Sequence, residues 1–479
     1  MRSTIFMSAS FVVLAACASD PAATAQQGKP AAGSPAAGEA EFRGLYKELI
    51  EINTTLSVGS CTKAAEAMKA RLVKAGYPES DLHLLAPASR PQDGNLIADL
   101  PGSDPSQKAL MLLAHIDVVE ANRADWVRDP FKLTEEGGFF YARGASDDKA
   151  MASIFTDSMV RFKQEGYKPA RPIKLVLTCG EESPNTFNGV KWLIENHRGL
   201  LDSAFALNEG GGGRLDPATG KYLYNGIQAG EKLYQDYTLE VTNQGGHSSR
   251  PVPDNAIYHL SAALLKVAQV DFPIEFNDAT RGFLTRMADI DGGARAADMK
   301  AAAKGDLVAA ARLKQDPSLN GILHTTCVGT QVTAGHAPNA LPQRATANVN
   351  CRIFPGRSPE EIRQTLAKAI GDEAVKVSFQ AEPEKPGPPP RLTPEIMAPL
   401  EKLTKEMWPG LPVVPAMSAG ATDGRFMTPA GIPTYGVSGI FADGETTNAH
   451  GLNERVAVKS LMEGRAFLYR LAKAYAGGK

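Results

Sequence analysis

Apolar positions recur on one helical face from Phe42 to Ala75, at Leu45, Leu49 and Ile52 and then at Ala65, Met68 and Leu72. That spacing predicts amphipathic helix. Short apolar runs follow: Asn95-Leu96-Ile97-Ala98, Ala109-Leu110-Met111-Leu112-Leu113 and Ile173-Lys174-Leu175-Val176-Leu177. Each is bounded by polar or turn residues. Helical stretches, Asp148 to Gln164 and Val190 to Asn196, lie around them. Runs of this length interleaved with helices predict strands of a largely parallel or mixed sheet with helices on its faces.

Near Tyr234 the pattern changes to period two. Tyr237-Thr238-Leu239-Glu240-Val241 alternates as a half-exposed strand does, and so do Gly329 to Thr333 and Ala345 to Ile353. Helices are predicted over Asp254 to Gln269 and from Ser358-Pro359-Glu360-Glu361, where Pro stands at the first helical position. Val375 to Phe379 closes the set. The order β-α-β-β-α-β is that of a ferredoxin-like module, interrupted by a helical, Ala-rich insertion at about 273–323. The fold class predicted is therefore α/β: a larger domain with a mixed sheet flanked by helices (41–232 and 382–479, rejoined after a Pro-rich connector), with an inserted ferredoxin-like α+β domain at 233–381. There is no internal repeat.

The first 40 residues follow neither pattern. Ile5 to Ala16 is an apolar run behind Arg2, too short for a membrane span of about 20 residues, and it reads as the core of a secretory signal. Leu14-Ala15-Ala16-Cys17 resembles a lipobox that would place a lipid anchor on Cys17. The competing reading is cleavage after Ala23-Thr24-Ala25. Residues 26–40, rich in Ala, Gly and Pro, read as a disordered tether. Either reading predicts an exported protein of a bacterium, periplasmic or membrane-anchored. Composition changes the picture only by exclusion. With 43% hydrophobic and 22% charged residues the chain is neither mainly disordered nor a polytopic membrane protein. A net charge of −2 gives no basic excess for nucleic acid. Five cysteines in 479 residues are too few for a disulfide scaffold.

Five segments place His, Asp or Glu at or just after strand ends, or before a helix: Ala114-His115-Ile116-Asp117, Gly144-Ala145-Ser146-Asp147-Asp148-Lys149, Cys179-Gly180-Glu181-Glu182-Ser183, Leu207-Asn208-Glu209-Gly210-Gly211 and Ala449-His450-Gly451-Leu452-Asn453-Glu454. Singly, each has an ordinary explanation: a hydrogen-bonded His, a solvated acidic turn, a Gly-rich loop. Together they place two imidazoles and several carboxylates where an α/β sheet builds its site, a donor set suited to zinc or a similar divalent ion.

These motifs resemble the dinuclear-zinc family of aminoacylases, glutamate carboxypeptidases, carnosine-type dipeptidases and succinyl-diaminopimelate desuccinylase. The likeness runs from about Phe42 to the C-terminus. It includes Trp126 with Asp129-Pro130-Phe131 beside the motifs above. The helical insertion looks more like the vacuolar carboxypeptidase and N-acyl-amino-acid hydrolase branch. The resemblance implies two divalent metal ions, zinc first, with cobalt or manganese as alternatives. It implies that Asp147 bridges them, that His115 and Glu209 complete one and that Glu182 and His450 complete the other. Glu181 would be general base, Asp117 would orient the ring of His115, and the Asp147-Asp148 peptide would be cis.

In the inserted domain, Asn243-Gln244-Gly245-Gly246-His247-Ser248-Ser249 is similar to a motif whose histidine reaches into the partner subunit's site. That implies a catalytic role for His247 and a homodimer through this domain. Asn339 and Arg352 match substrate-contacting residues, Arg352 as a clamp for a carboxylate, although Asn350 stands where many relatives have Asp. Gly420 belongs to a loop, Gly420 to Arg425, that resembles the family's substrate-binding loop. The remaining histidines, His83, His197, His259, His324 and His336, carry no motif. Cys327 and Cys351 lie on or near neighbouring strands and are the expected disulfide. The expected function is an exported metal-dependent hydrolase of small peptides, a carboxypeptidase or dipeptidase. The alternative is an aminoacylase-type hydrolase of N-acyl amino acids. A non-catalytic peptide-binding relative and a Cys179 or Ser183 hydrolase are the more remote readings.

Overall fold

The run Ala109–His115 is buried along its whole length, and its side chains divide between two cores. Leu110, Leu112 and Ala114 enter one core, and Met111 and Leu113 enter another on the opposite face. A strand buried on both faces is continuous in hydrophobicity for that reason. In the computed structural model, which describes residues 38–183, 186–443 and 447–478, this strand is central to a ten-stranded mixed sheet. It pairs in parallel with Ile173–Thr178 on one side and Ser203–Asn208 on the other. Antiparallel strands Asn95–Leu100 and Leu82–Leu85 extend one edge. Thr434–Gly436 and Tyr222–Glu231 extend the other. Helices Glu39–Glu51, Cys61–Ala75, Lys149–Gln164 and Val458–Ala476 cover the larger core. Helix Gly189–His197 covers the smaller one.

The single helical stretch predicted from Phe42 to Ala75 is two helices. The break at Ile52–Ser60 ends with Ser60, whose side chain caps the second helix through the amide of Lys63. The signal segment and Cys17 lie outside the described residues. Among the described residues no helix is long and apolar enough to cross a membrane.

From the end of Tyr222–Glu231 the chain passes through Lys232 into a four-stranded antiparallel sheet. Its spatial order is Thr326–Ala334, Arg344–Ile353, Leu233–Thr242, Lys376–Phe379. With helices Ala256–Val267 and Pro359–Ile370 this is the ferredoxin-like arrangement. Tyr237, Leu239, Val241, Val349 and Cys351 pack under the two helices. The other face, carrying Tyr234, Asp236, Asn348, Asn350 and Arg352, is polar. The disulfide Cys327–Cys351 joins two of these strands.

The insertion forms four short helices, Asp278–Asp291, Gly293–Ala303, Leu307–Leu313 and Pro317–Leu323, around their own core of Leu284, Met299, Leu313 and Leu323. It packs back on the large sheet. A Cβ at Gly282 would stand 2.7 Å from Pro415 Cγ, so the helix approaches strand Val413–Ser418 as closely as it does because that position is glycine.

Candidate active site

Three parallel neighbours, Ala109–His115, Ile173–Thr178 and Ser203–Asn208, end at the same edge of the sheet. This is the side where a parallel sheet presents its loops for chemistry. His115 closes the first strand. Glu181 and Glu182 follow the second, and Glu209 follows the third. Asp147 precedes helix Lys149–Gln164 across a cis Asp147-Asp148 peptide. His450 comes from the loop before strand Arg455–Ala457, with its backbone in the left-handed region at φ 61°. That conformation is uncommon for a residue with a Cβ and marks a backbone held by its surroundings.

Four of these side chains, His115, Glu182, Glu209 and His450, gather around the carboxylate of Asp147. His115 Nε2 lies 3.1 Å from Asp147 Oδ1 and 3.8 Å from Glu209 Oε1. His450 Nε2 lies 3.2 Å from Asp147 Oδ2 and 2.9 Å from Glu182 Oε1. Each oxygen of one carboxylate thus meets one imidazole, and each imidazole is backed by a different glutamate. Donor atoms of His115, Glu181 and Glu209 also lie within 4.8 Å of one another. Ligand atoms held ~2.0–2.2 Å from a tetrahedral ion stand ~3.3–3.6 Å apart, so the observed spacings suit two ions sharing Asp147.

Charge leads to the same fit. Asp117, Asp148 and Asp423 crowd the group besides the four carboxylates just named. Burial pushes the Glu209 carboxyl well up, and Glu181 up to about 8. Burial also favours a protonated Asp147, but hydrogen bonds from His115 and His450 outweigh it and hold that carboxyl below its usual range. His450 is raised to about 10 by its hydrogen bonds to Asp147 and then Glu182. Asp148 Oδ2 is buried with no hydrogen-bond partner among the described residues. A buried surplus of carboxylates over two imidazoles is costly unless cations neutralise it, and divalent ions do so at this spacing.

Asp117 meets the other nitrogen of the His115 ring, as the sequence suggests, and also reaches the paired glutamates. The ring Nδ1 of His115 lies 3.1 Å from the main-chain carbonyl of Asp117 and 3.6 Å from its carboxylate. The carboxylate instead accepts the amides of Glu181 (3.3 Å) and Glu182 (3.0 Å). One residue therefore sets the ring with its backbone and the paired glutamates with its side chain.

Other expected residues sit elsewhere. His247 is exposed on a two-stranded ribbon with Ala340, its Nδ1 2.8 Å from Ser249 Oγ. Asn339 is next to it, accepting the amide of Ser248 with its carbonyl. Among the described residues no hydrogen bond or ion pair links either to the His115–His450 group. Arg352 stacks on Tyr234, 4.6 Å from the ring centre, and donates to the carbonyl of Ala419 at 3.1 Å. Gly420 is exposed, its amide 3.0 Å from Ser418 Oγ. In the same loop Asp423 is buried, accepting from Thr178 and Asn188 and so tying the loop to the strand that carries the paired glutamates.

Two features take their roles from partners distant in the chain. Glu454 is wholly buried. It accepts from the amides of Gly144, Ser146 and Asp147, from the Ser146 hydroxyl and from Arg143. Arg143 in turn donates to the carbonyls of His450 and Gly451. The pair fastens the Asp147 loop to the His450 loop. Cys61 and Cys179 form a second disulfide across 118 residues, two positions before Glu181. Cys179 is therefore not a free thiol. The even number of cysteines left after Cys17 was the one hint of this second pair.

Residues 111–474 match the model of peptidase family M20/M25/M40. The chain is 28% identical over 382 residues to the human N-fatty-acyl-amino acid synthase/hydrolase PM20D1, covering 78% of this chain and 75% of that one. It is 27% identical over 389 residues to the probable carboxypeptidase S-like 2 of Dictyostelium discoideum, covering 79% and 74%. Its fold is similar to that of a metallo-carboxypeptidase from Sulfolobus solfataricus, with a TM-score of 0.68 at 20% identity over 91% of this chain and 99% of that one.

Proposed function

The chain belongs to peptidase family M20/M25/M40 and is a metal-dependent amide hydrolase, and we propose that it cleaves small peptides bearing a free C-terminal carboxylate, with two zinc ions held by His115, Asp147, Glu182, Glu209 and His450. One observation carries this reading. The two imidazoles face opposite oxygens of Asp147, each with its own glutamate behind it.

Bound metal would supply an activated water and a Lewis acid for the amide carbonyl. Glu181, which ligates nothing in this scheme, takes the proton of the attacking water on its carboxylate and returns it to the departing nitrogen. Its position supports the role: its amide is held by Asp117 and its carboxylate lies among the donors of His115 and Glu209. Arg352, on the open face of the small domain and bonded to Ala419 of the large one, is placed to grip the substrate carboxylate with its planar fork. His247 and Asn339, exposed side by side, suit contact with a substrate in a partner subunit's site, and the small domain is the proposed dimer surface.

N-acyl amino acids are the second reading, favoured by the human relative and by the helical insertion. Both substrate kinds present an amide next to a free carboxylate. An exported, lipid-anchored location is also proposed. Two disulfides support an oxidising compartment. The test is a panel of dipeptides and N-acyl amino acids on chelated and zinc-reloaded protein. Turnover that disappears with the metal and returns with it is expected. Equal turnover without metal contradicts the reading.

A further inference from the structure

Arg214 lies on the short strand Gly213–Leu215, which follows Glu209. It is half-buried, and its guanidinium has no hydrogen bond or ion pair among the described residues. It pairs in register with Tyr224 on one side and Ala442 on the other, and residues directly opposite on adjacent strands share a face of the sheet. All three line a cavity of about 380 Å³ that also reaches Asp147, Asp148 and Glu209, within the ~300–1,000 Å³ of ligand pockets. Every described residue that lines it belongs to the large domain. Met151, Ile440 and Val456 supply apolar wall. The hydroxyl of Tyr224 is likewise without a hydrogen-bond partner among the described residues, and the charge of Arg214 acts on it.

Strand Tyr222–Glu231 fixes where Arg214 stands relative to Arg352. Near one end Tyr224 faces Arg214. At the other, Glu231 is in register with Ser418, and the next residue, Ala419, accepts the guanidinium of Arg352. The Glu209 loop lies between them. Gln228 pairs with Gly436, and a Cβ at Gly210 would stand 2.5 Å from Gln228 Oε1. From Gln228 to Tyr224 is about 13 Å of strand at ~3.3 Å per residue. A substrate gripped by Arg352 at its leaving side, with its scissile amide beside Glu209, therefore runs its acyl side toward Arg214. An uncharged acyl group filling the cavity would strip water from a guanidinium that stays charged, which is costly. A carboxylate there replaces the lost water with charge-assisted hydrogen bonds from the planar fork.

We infer that Arg214, with the hydroxyl of Tyr224, forms an acyl-side anion subsite that selects substrates whose acyl group carries a carboxylate: an acidic residue before the cleaved bond, or a dicarboxylic acyl group. The inference rests on the hydrolytic reading of the His115–His450 group and on Arg352 as the leaving-side clamp.

The test uses the zinc-loaded full chain and two matched pairs, Glu-Leu against Gln-Leu and N-succinyl-leucine against N-succinamoyl-leucine. Wild type is expected to favour the acid of each pair about 10–100-fold in kcat/KM. Arg214→Gln brings the ratio to about one, and Arg214→Lys, which keeps the charge, keeps a clear preference for the acid. No preference in wild type, an unchanged ratio in Arg214→Gln, or a Lys variant as indiscriminate as the Gln variant overturns the subsite and leaves the hydrolytic reading intact. Wild type inactive on all four compounds but active on neutral dipeptides also overturns it. Inactivity on those as well overturns the hydrolytic reading, and the subsite falls with it.

Discussion

The carboxylate of Glu454 accepts the backbone amide of Asp147 at 3.0 Å from 307 residues further along the chain. The same side chain takes the amides of Gly144 and Ser146, and its partner Arg143 holds the carbonyls of His450 and Gly451. The distance between the two loops that face the Asp147 carboxylate is thus set by one buried ion pair. Glu454→Gln removes the charge and leaves Arg143 buried without a counter-ion. The expected result is a zinc affinity about 10–100-fold weaker, the usual cost of losing a group that supports a ligand, and a loss of about 3–5 kcal/mol in stability. Competition with a chromogenic chelator and denaturant unfolding measure the two. Wild-type affinity in a folded variant would show that the loops are positioned by something else.

Glu181→Gln separates chemistry from metal binding. Turnover is expected to fall by about 10²–10⁴ with zinc content unchanged, as read by elemental analysis beside steady-state kinetics. Loss of zinc along with activity would place Glu181 among the ligands.

How much of this was legible locally depends on how far apart the partners lie in the chain. The strand Ala109–His115 and its His-x-Asp end were readable because hydrophobic run, strand end and ligand types fall within nine residues. The helical character of the insertion at about 273–323 was readable from composition, but its division into four helices and its seat against Pro415 were not, the latter depending on a contact between distant segments at Gly282. Glu454 stood in a recognised segment and acquires its role only through Arg143. Asp117 reads as orienting the ring of His115, which its main-chain carbonyl does, but its hold on the paired glutamates was not legible for a similar reason. Its nearest neighbour in sequence is His115, yet its carboxylate bonds to amides 64 and 65 residues away. Period and motif report neighbours along the chain, and the support of this site comes from elsewhere in it.

The disulfide Cys61–Cys179 joins the start of helix Cys61–Ala75 to the loop of the paired glutamates. Replacing both cysteines with serine is expected to lower stability by about 2–4 kcal/mol. It should also lower turnover, because Cys179 stands two residues before Glu181. The Cys327/Cys351 double variant lies in the small domain and should affect stability more than turnover. Thermal unfolding and kinetics on both variants make the comparison. Equal turnover losses would contradict it.

His259 predicts a pH dependence for the small domain. Its Nδ1 is 2.6 Å from Asp372 and its Nε2 3.2 Å from Asp254. The hydrogen bond to Asp372 raises its pKa above the ordinary 6.5, and the same bond lowers that of Asp372 below 3.8. A raised histidine contributes stability that is complete below the unfolded value and is lost as pH climbs through the folded one; a lowered carboxyl contributes above its unfolded value. The pair therefore stabilises most between about pH 4 and 6.5 and fades above, by less than about 1 kcal/mol because it is partly open to solvent. His259→Gln should lower the unfolding midpoint more at pH 5.5 than at pH 8.5. The reverse order would contradict the assignment.

The central claim is that Asp147 joins two metal ions. Diffraction from crystals grown with zinc, recorded across the zinc absorption edge, tests it most directly. Two anomalous peaks are predicted, one beside Asp147 Oδ1 facing His115 and Glu209 and one beside Oδ2 facing His450 and Glu182. A single peak, or peaks that leave Asp147 out of contact, would contradict the account.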